Sequence, residues 1–208
     1  MFQRCDTYEE RKALFDAEPS IHSSDIVMLG DSLTCFGGDW ARRLGISDVP
    51  VFNRGIAGDD LPGIRDRLDQ IVPYHPALVV FLAGVNDISH GCSAQEIAEG
   101  IFDVVNRFRR DSPGTKLLLQ SLLPINESFH QWRLLEGKTG MVPEVNRLIA
   151  DKASSEHITY LDLFPHFVIP DTPVMRPELT VDGLHLTEAG YNIWGSLLRK
   201  VIAKSIST

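Results

Sequence analysis

The stretch DIVMLGDSL, residues 25–33, joins an apolar run to a polar turn. Residues 25–29 predict a buried β-strand, and Gly30, Asp31 and Ser32 follow it directly, ahead of a segment with helical character. In open α/β sheets, ligands bind outside the carboxyl ends of the strands. The stretch therefore predicts an α/β fold with Ser32 at the edge where function is expected.

The same alternation of apolar runs and helical patterns continues along the chain. Further strands are predicted at residues 49–52, 78–83, 116–122 and 158–161, and helices at residues 39–44, 61–72, 94–110, 143–155 and 187–204. In the last helix, Ile193, Leu197 and Val201 share one face. Strands that alternate with helices imply right-handed crossovers, so we expect a five-stranded parallel sheet covered on both faces.

Length and composition indicate one ordinary globular domain spanning residues 1–208. The chain has 43% hydrophobic and 23% charged residues, which gives no support to disorder. A net charge of -8 without a basic stripe argues against nucleic acid and anionic membrane surfaces as partners. No stretch approaches the roughly 20 apolar residues of a membrane span, so we expect no membrane insertion.

Two further features bear on the compartment. The amino-terminal residues lack the apolar run and cleavage site of a secretory signal. Cys5, Cys35 and Cys92 cannot all pair within one chain and form no Cys-x-x-Cys motif. The sequence therefore predicts reduced thiols and a cytoplasmic protein.

A serine, a histidine and an aspartate in suitable contexts predict nucleophilic catalysis. The hydroxyl of Ser32 needs a base to accept its proton, and that base needs an acid to orient it. Asp182 and His185, three residues apart in DGLH, can supply this pair within one turn. Taken alone, a Gly-Asp-Ser sequence is usually a simple turn and an Asp-x-x-His pair a loop or helix-start feature. It is their joint occurrence, in order, that favours catalysis.

Acyl transfer also needs hydrogen-bond donors directed at the oxyanion, each worth about 3–4 kcal/mol. Three candidates follow predicted strands: the backbone N–H of Ser32, the N–H of Gly58 in GIAGD, and the side-chain amide of Asn86 in GVND. A purely structural alternative remains for two of them, since Gly58 could serve only to turn the chain and Asn86 to cap the next element. Asp31 and Asp87, in the same motifs, are expected to support the loops through hydrogen bonds.

Together these motifs resemble the SGNH hydrolases, or GDSL esterases and lipases, named for serine, glycine, asparagine and histidine in four blocks. GDSLT, GIAGD, GVND and DGLH supply the four blocks in order across residues 30–185. The resemblance implies a flavodoxin-like three-layer α/β/α sandwich, a triad of Ser32, His185 and Asp182, and no metal or organic cofactor. The phrases NRGIAGD, QSLLPIN and DGLHLTEAGY are similar to a bacterial branch related to platelet-activating-factor acetylhydrolase subunits and carbohydrate acetylesterases. This implies a small-molecule acyl ester as substrate, with acetylated sugars ahead of lysophospholipids.

Several alternatives stay open from sequence. The same serine could pass an acyl group to an alcohol rather than to water, and a doubly wound sheet could instead be a phosphate- or flavin-binding module. The sequence lacks the His-Glu-x-x-His motif that would indicate a metal hydrolase, and its context singles out no two acids as a glycosidase would require.

Residues 126–142, with Phe129, Trp132 and Met141, are either a substrate-lining loop or a cover for the sheet edge. Homo-oligomerisation and acyl length are left open, and Asp60, where the resembled family often has threonine, puts local turn bonding in doubt.

Overall fold

A computed structural model describes residues 8–18 and 20–206, so Cys5 and the first residues behind the signal prediction lie outside the described residues. Five strands alternate with eight α-helices among these residues. They are α1 (Tyr8–Ala17), β1 (Ile26–Gly30), α2 (Ser32–Phe36), α3 (Trp40–Leu44), β2 (Val51–Gly55), α4 (Leu61–Asp66), β3 (Leu78–Leu82), α5 (Val85–His90), α6 (Ala94–Asp111), β4 (Lys116–Gln120), α7 (Met141–Ser155), β5 (Thr159–Leu161) and α8 (Glu188–Ile206).

The strands form one parallel sheet in the order β2-β1-β3-β4-β5. This is the order of flavodoxin-like sheets, and it reverses direction between β1 and β3. Gly30, the last residue of β1, pairs in register with Gly55 of β2 and Leu82 of β3. The turns after these three strands therefore leave the sheet at one edge. The strand order confirms the predicted flavodoxin-like three-layer α/β/α sandwich with a parallel five-stranded sheet.

Alternate residues of the strands feed two separate hydrophobic cores. Val27 and Leu29 of β1 pack with α4, α6 and α7 on one face. Ile26 and Met28 pack on the other face with α3 and α8. Because both faces of the sheet are covered, β1 and β3 are buried along their whole length, as parallel strands between helical layers usually are.

Strand and helix bounds differ from the sequence prediction where polar side chains interrupt the apolar pattern. Strand β2 ends at Gly55 rather than residue 52, because Asn53 and Arg54 continue the pairing with β1 at the sheet edge. The helix predicted at residues 61–72 ends at Asp66 and gives way to two short 3-10 turns, Leu68–Gln70 and Val72–Tyr74. At the break, the side chain of Arg67 enters the interior, where it is buried.

In α8 the fully buried stripe is Tyr191, Trp194, Leu198 and Ile202, whereas the predicted stripe of Ile193, Leu197 and Val201 is partly buried beside it. Trp40 and Trp194 fill the core, with ring centroids 4.9 Å apart. Within the described ranges Cys35 and Cys92 form no disulfide, and burial raises the pKa of the Cys92 thiol. None of the described helices combines the length and apolar character that crossing a membrane requires.

Candidate active site

Ser32 lies where β1 passes abruptly into α2. It is the first residue of the helix, and Asp31 caps the helix by accepting a hydrogen bond of 2.9 Å from the backbone N–H of Leu33. The first N–H groups of a helix have no partner within the helix. At the carboxyl edge of the sheet, the turn therefore leaves the backbone N–H of Ser32 without a partner within the helix, and the side chain of Ser32 is buried there.

A chain of two hydrogen bonds runs from Asp182 through His185 to Ser32. His185 Nδ1 is 2.7 Å from Asp182 Oδ2, and His185 Nε2 is 2.9 Å from Ser32 Oγ. A carboxylate can only accept, so Nδ1 carries the proton and Nε2 is left to accept from the serine hydroxyl. The three side chains are brought together from residues 153 positions apart in the chain.

The turn that carries Asp182 and His185 is fixed by its own hydrogen bonds. Asp182 Oδ1 accepts from the backbone N–H groups of Leu184 and His185, at 2.9 and 2.7 Å, while the carbonyl of His185 accepts from Val181 N–H and Thr180 Oγ1. Burial alone would raise the pKa of Asp182, but the hydrogen bonds from His185 and Leu184 hold it below its ordinary value. Asp182 is therefore held as an ionised, acceptor-only partner for the imidazole.

Two aromatic rings flank the imidazole of His185. The Phe36 ring centroid is 5.1 Å from that of His185 at an interplanar angle of 57°, and Trp132 contacts the imidazole edge-on at 5.2 Å and 73°. Both rings restrict rotation of the imidazole and so favour the orientation that the hydrogen bond to Asp182 selects. Trp132 belongs to residues 126–142, so this segment reaches the site and does not only cover the sheet edge.

Gly58 sits at a turn whose backbone conformation favours glycine. Its φ is +79°, and a side chain there would project into open space rather than into neighbouring atoms. The loop of residues 56–61 starts at Ile56, whose N–H bonds the carbonyl of Gly30 at 3.2 Å, two residues before Ser32. Gly58 thus belongs to a loop that is fastened next to the serine.

Asn86 is held by the loop that contains Gly58. Its Nδ2 donates to the carbonyl of Asp59 at 2.7 Å, which uses one of the two amide hydrogens and fixes the direction of the other. Gly84, not Asn86, occupies the cap position of α5, so the capping alternative does not apply to Asn86. The structure therefore brings a fixed amide and the Gly58 turn together.

Arg67 is a buried arginine that sequence reasoning missed. Its guanidinium donates to Asp59 Oδ2 at 2.7 Å, to the carbonyl of Arg54 at 2.9 Å and to the carbonyl of Gly30 at 3.1 Å. One side chain thus joins the ends of β1 and β2 to the Gly58 loop. An arginine inside a predicted amphipathic helix carries no sequence signal of such a role, since arginines on helices are mostly exposed.

The two supporting aspartates both hydrogen-bond loop backbone. Asp31 bonds Leu33 N–H, and Asp87 accepts from Leu61 N–H with both oxygens at 3.2 Å. Burial raises the pKa of Asp31 to about 7, and burial likewise raises the pKa of Asp87 to about 6. Asp60 caps α4 through a 2.9 Å bond from Gly63 N–H, so the turn bonding that its presence put in doubt is made.

Within residues 8–18 and 20–206, no group of three or more histidine, cysteine, aspartate or glutamate side chains could hold a metal ion. The site geometry instead provides a hydroxyl, a base oriented by a carboxylate, and backbone and amide N–H groups nearby. This arrangement can deprotonate a serine and stabilise negative charge on an adjacent oxygen.

Comparison with known proteins gives a consistent pattern. The model of the GDSL-like lipase/acylhydrolase family matches residues 28–193. The human platelet-activating factor acetylhydrolase IB subunit alpha1 is 29% identical over 183 residues, covering 85% of this chain and 74% of that protein. A GDSL-like lipase from Bacteroides thetaiotaomicron superposes with a TM-score of 0.82 at 22% identity, over 96% of this chain and 98% of its own. The acetyl xylan esterase AlAXEase superposes with a TM-score of 0.71 at 21% identity, over 86% and 99%.

Proposed function

The chain belongs to the GDSL-like lipase/acylhydrolase family, and from this premise we propose that it is a serine esterase acting on short-chain acyl esters, above all acetyl esters of carbohydrates or other small alcohols. Ser32 is the nucleophile, His185 the general base and Asp182 the residue that orients it. The observation that carries the proposal is the unbroken hydrogen-bond chain from Asp182 to His185 to Ser32, at 2.7 and 2.9 Å.

In the first half of the reaction, His185 Nε2 accepts the Ser32 proton as Oγ attacks the ester carbonyl. Negative charge develops on the carbonyl oxygen, where the N–H groups of Ser32 and Gly58 and the amide of Asn86 donate to it. His185, now protonated and paired with Asp182, returns the proton to the leaving alcohol as the C–O bond breaks. Ser32 is left as an acyl ester.

In the second half, water takes the place of the alcohol. His185 removes a proton from the water as it attacks the acyl-serine, the same donors hold the oxyanion, and the proton then passes to Ser32 Oγ as the acid leaves. The side chains of this site complete the cycle without a cofactor. An alcohol that competes with water at this step would make the enzyme an acyltransferase.

The acetyl preference draws support from the relatives. The human relative is named an acetylhydrolase and one structural neighbour an acetyl xylan esterase, so acetyl is the acyl group in both names. The latter name gives xylan, a carbohydrate, as the alcohol part. Esters of carbohydrates stay the first candidate and lysophospholipids the second.

Hydrolysis of p-nitrophenyl acetate, butyrate and octanoate by the wild type and Ser32→Ala tests the proposal. We expect the acetate to be preferred, and the folded Ser32→Ala variant to lose turnover by a factor on the order of 10⁶, as loss of a serine nucleophile does. Circular dichroism of both proteins controls for folding, and activity in a strong chelator controls for metal.

Equal rates in the two proteins would contradict the serine mechanism and leave a metal hydrolase or a non-catalytic binding module. Preference for octanoate would favour the lysophospholipase alternative. Addition of a primary alcohol, with analysis of the products, separates hydrolysis from acyl transfer.

A further inference from the structure

Trp132 is the exposed one of the two rings that flank His185. The residue is 41% exposed, an unusual exposure for a tryptophan, although its ring contacts the imidazole edge-on at a centroid distance of 5.2 Å. Phe36, on α2, is only partly buried but is not among the strongly exposed apolar side chains. The surface next to the catalytic base is therefore formed in large part by an indole that is available to a ligand.

The chemistry of the proposed reaction fixes which part of the substrate comes near this indole. His185 Nε2 must pass a proton to the oxygen of the leaving alcohol, which requires the two atoms to come within about 2.6–3.2 Å. The carbonyl oxygen points the other way, towards the donors of Ser32, Gly58 and Asn86. The alcohol part of the ester, not the acyl part, thus lies beside the imidazole and within reach of Trp132.

The segment that carries Trp132 is built as a fixed wall. The carboxylate of Glu127 accepts from Gly137 N–H at 2.7 Å and from Thr139 N–H at 2.8 Å, and also from the Thr139 hydroxyl. These bonds close the segment on itself. Leu135, three residues after Trp132, is buried in the core, and its N–H bonds the Trp132 carbonyl at 2.8 Å.

The same segment is fastened directly to the catalytic turn. Asn126 N–H donates to the carbonyl of Gly183 at 2.7 Å, and Gly183 lies between Asp182 and His185. A side chain at Gly183 would collide with the carbonyl of Asn126, and its φ of +92° also favours glycine. The position of the indole is therefore set relative to the base that serves the leaving group.

We infer that Trp132 is a specificity-determining residue that receives the leaving alcohol, and that it selects esters of ring-shaped alcohols, whose flat faces pack on the indole. A rigid ring, whether a pyranose or an aryl group, contacts the indole over a large area and loses little conformational freedom on binding. A short acyclic alcohol gains no such contact. The inference rests on the proposed serine-esterase function, which assigns His185 to the leaving group.

Three acetates with the same acyl group and different alcohols provide the test: phenyl acetate, a monoacetylated methyl pyranoside and ethyl acetate. In Trp132→Ala we expect kcat/KM to fall about tenfold for at least one ring ester and less than twofold for ethyl acetate. Loss confined to phenyl acetate or to the pyranoside identifies the kind of ring. A uniform loss on all three esters, or no loss on any, would overturn the inference.

Deacylation separates this role from simple support of His185. All three acetates form the same acetyl-Ser32, so a residue that contacts only the alcohol leaves the hydrolysis rate of that intermediate unchanged. A burst experiment with p-nitrophenyl acetate measures this rate. Slower deacylation in Trp132→Ala, in parallel with slower acylation, would assign Trp132 to holding the imidazole and overturn the specificity role.

Matched variants complete the design. Leu134→Ala removes the apolar side chain of a residue that is 65% exposed on the same segment, and should leave the ratio between the three esters unchanged. Phe36→Ala removes the other ring against His185 and should affect all three esters alike. Trp132→Phe keeps a ring and should retain most of the preference for ring esters. This variant covers the case in which Trp132→Ala does not fold.

If Ser32→Ala is as active as the wild type, the proposed function fails. An inactive Ser32→Ala together with an unchanged ester ratio in Trp132→Ala removes only the inference.

Discussion

On one side of Ser32, residues 180–185 form a turn that carries Asp182 and His185, the proposed acid and base, and most of its hydrogen bonds join residues within five positions of one another. On the other side, residues 56–61 form the loop of Gly58, which is held by Gly30, Arg67, Asn86 and Asp87 from other parts of the chain. We call these the base side and the oxyanion side. The base side is organised by local backbone geometry, and the oxyanion side by buried polar contacts at long range.

This difference implies that the two sides fail in different ways. A change on the base side removes one proposed catalytic group from a turn whose other bonds remain. A change on the oxyanion side leaves a buried charge or polar group without its partner, which costs stability as well as activity. Three predictions test this contrast, and a fourth concerns Asp31 beside Ser32; they run from the largest expected effect to the smallest.

Asp182→Asn is expected to lower kcat about 10⁴-fold, because an amide that donates to Nδ1 favours the wrong imidazole tautomer. The amide oxygen can still accept from the backbone N–H groups of Leu184 and His185, so the fold should be retained. Steady-state kinetics with p-nitrophenyl acetate and circular dichroism measure both effects. Wild-type turnover in the folded variant would remove Asp182 from the proposed mechanism.

Arg67→Met is expected to lower the free energy of unfolding by about 3–5 kcal/mol, because it leaves the buried carboxylate of Asp59 without its cation. Arg65→Met is the matched control. Arg65 pairs with Asp103 at the surface, where both side chains are about half exposed, and such pairs are worth about 0–1 kcal/mol. Urea unfolding of the three proteins tests the prediction, and similar losses in both variants would contradict the role of the buried pair.

Asn86→Ala is expected to lower kcat by about 10²–10³, or about 3–4 kcal/mol, with a much smaller effect on KM, since an oxyanion donor acts mainly in the transition state. The variant also removes the bond to the Asp59 carbonyl, so unfolding should be followed alongside kinetics. Asn192→Ala, on the exposed side of α8, provides the control. An effect confined to stability would assign Asn86 to loop support alone.

Asp31→Asn tests the pH dependence of stability at the centre of the site. Burial raises the pKa of Asp31 from 3.8 to about 7, so the folded protein holds its proton in a range where the unfolded chain has lost it. The stability that Asp31 contributes by holding this proton in the folded protein is full below about pH 4 and is lost as the pH rises through 7. Relative to the wild type, the variant should therefore gain about 2 kcal/mol of stability between pH 5 and pH 7.

Urea unfolding of the wild type and Asp31→Asn at the two pH values measures this change. The amide nitrogen of the variant replaces Oδ2 of Asp31, an oxygen that is buried and makes no hydrogen bond. Any cost in stability of that replacement is the same at both pH values. A difference in stability that does not change with pH would mean that Asp31 is ionised throughout in the folded protein.

The sequence predicted most of the fold because its strongest signals are local. Helix α6 and strands β1 and β3 lie within a residue or so of their predicted bounds, since continuous apolar runs and a helical pattern require no knowledge of distant partners. Helices α1 and α5 were not predicted. In α1, Phe15 is the one buried side chain, so the segment has little of the periodicity by which an amphipathic helix is recognised.

By itself, the sequence determined the five-stranded α/β fold and the placing of Ser32, Gly58, Asn86, Asp182 and His185 after strands or within one turn, because each of these depends on a short motif or a local period. Tertiary structure alone decided that Arg67 bonds the carbonyl of Gly30 at the end of β1, that Asn126 is bonded to Gly183, and that Trp132 stands beside His185. The physical reason is that these contacts join residues far apart in the chain, through a buried charge or a close backbone approach. Such contacts exist only once the packed layers have brought their partners within hydrogen-bonding or van der Waals distance.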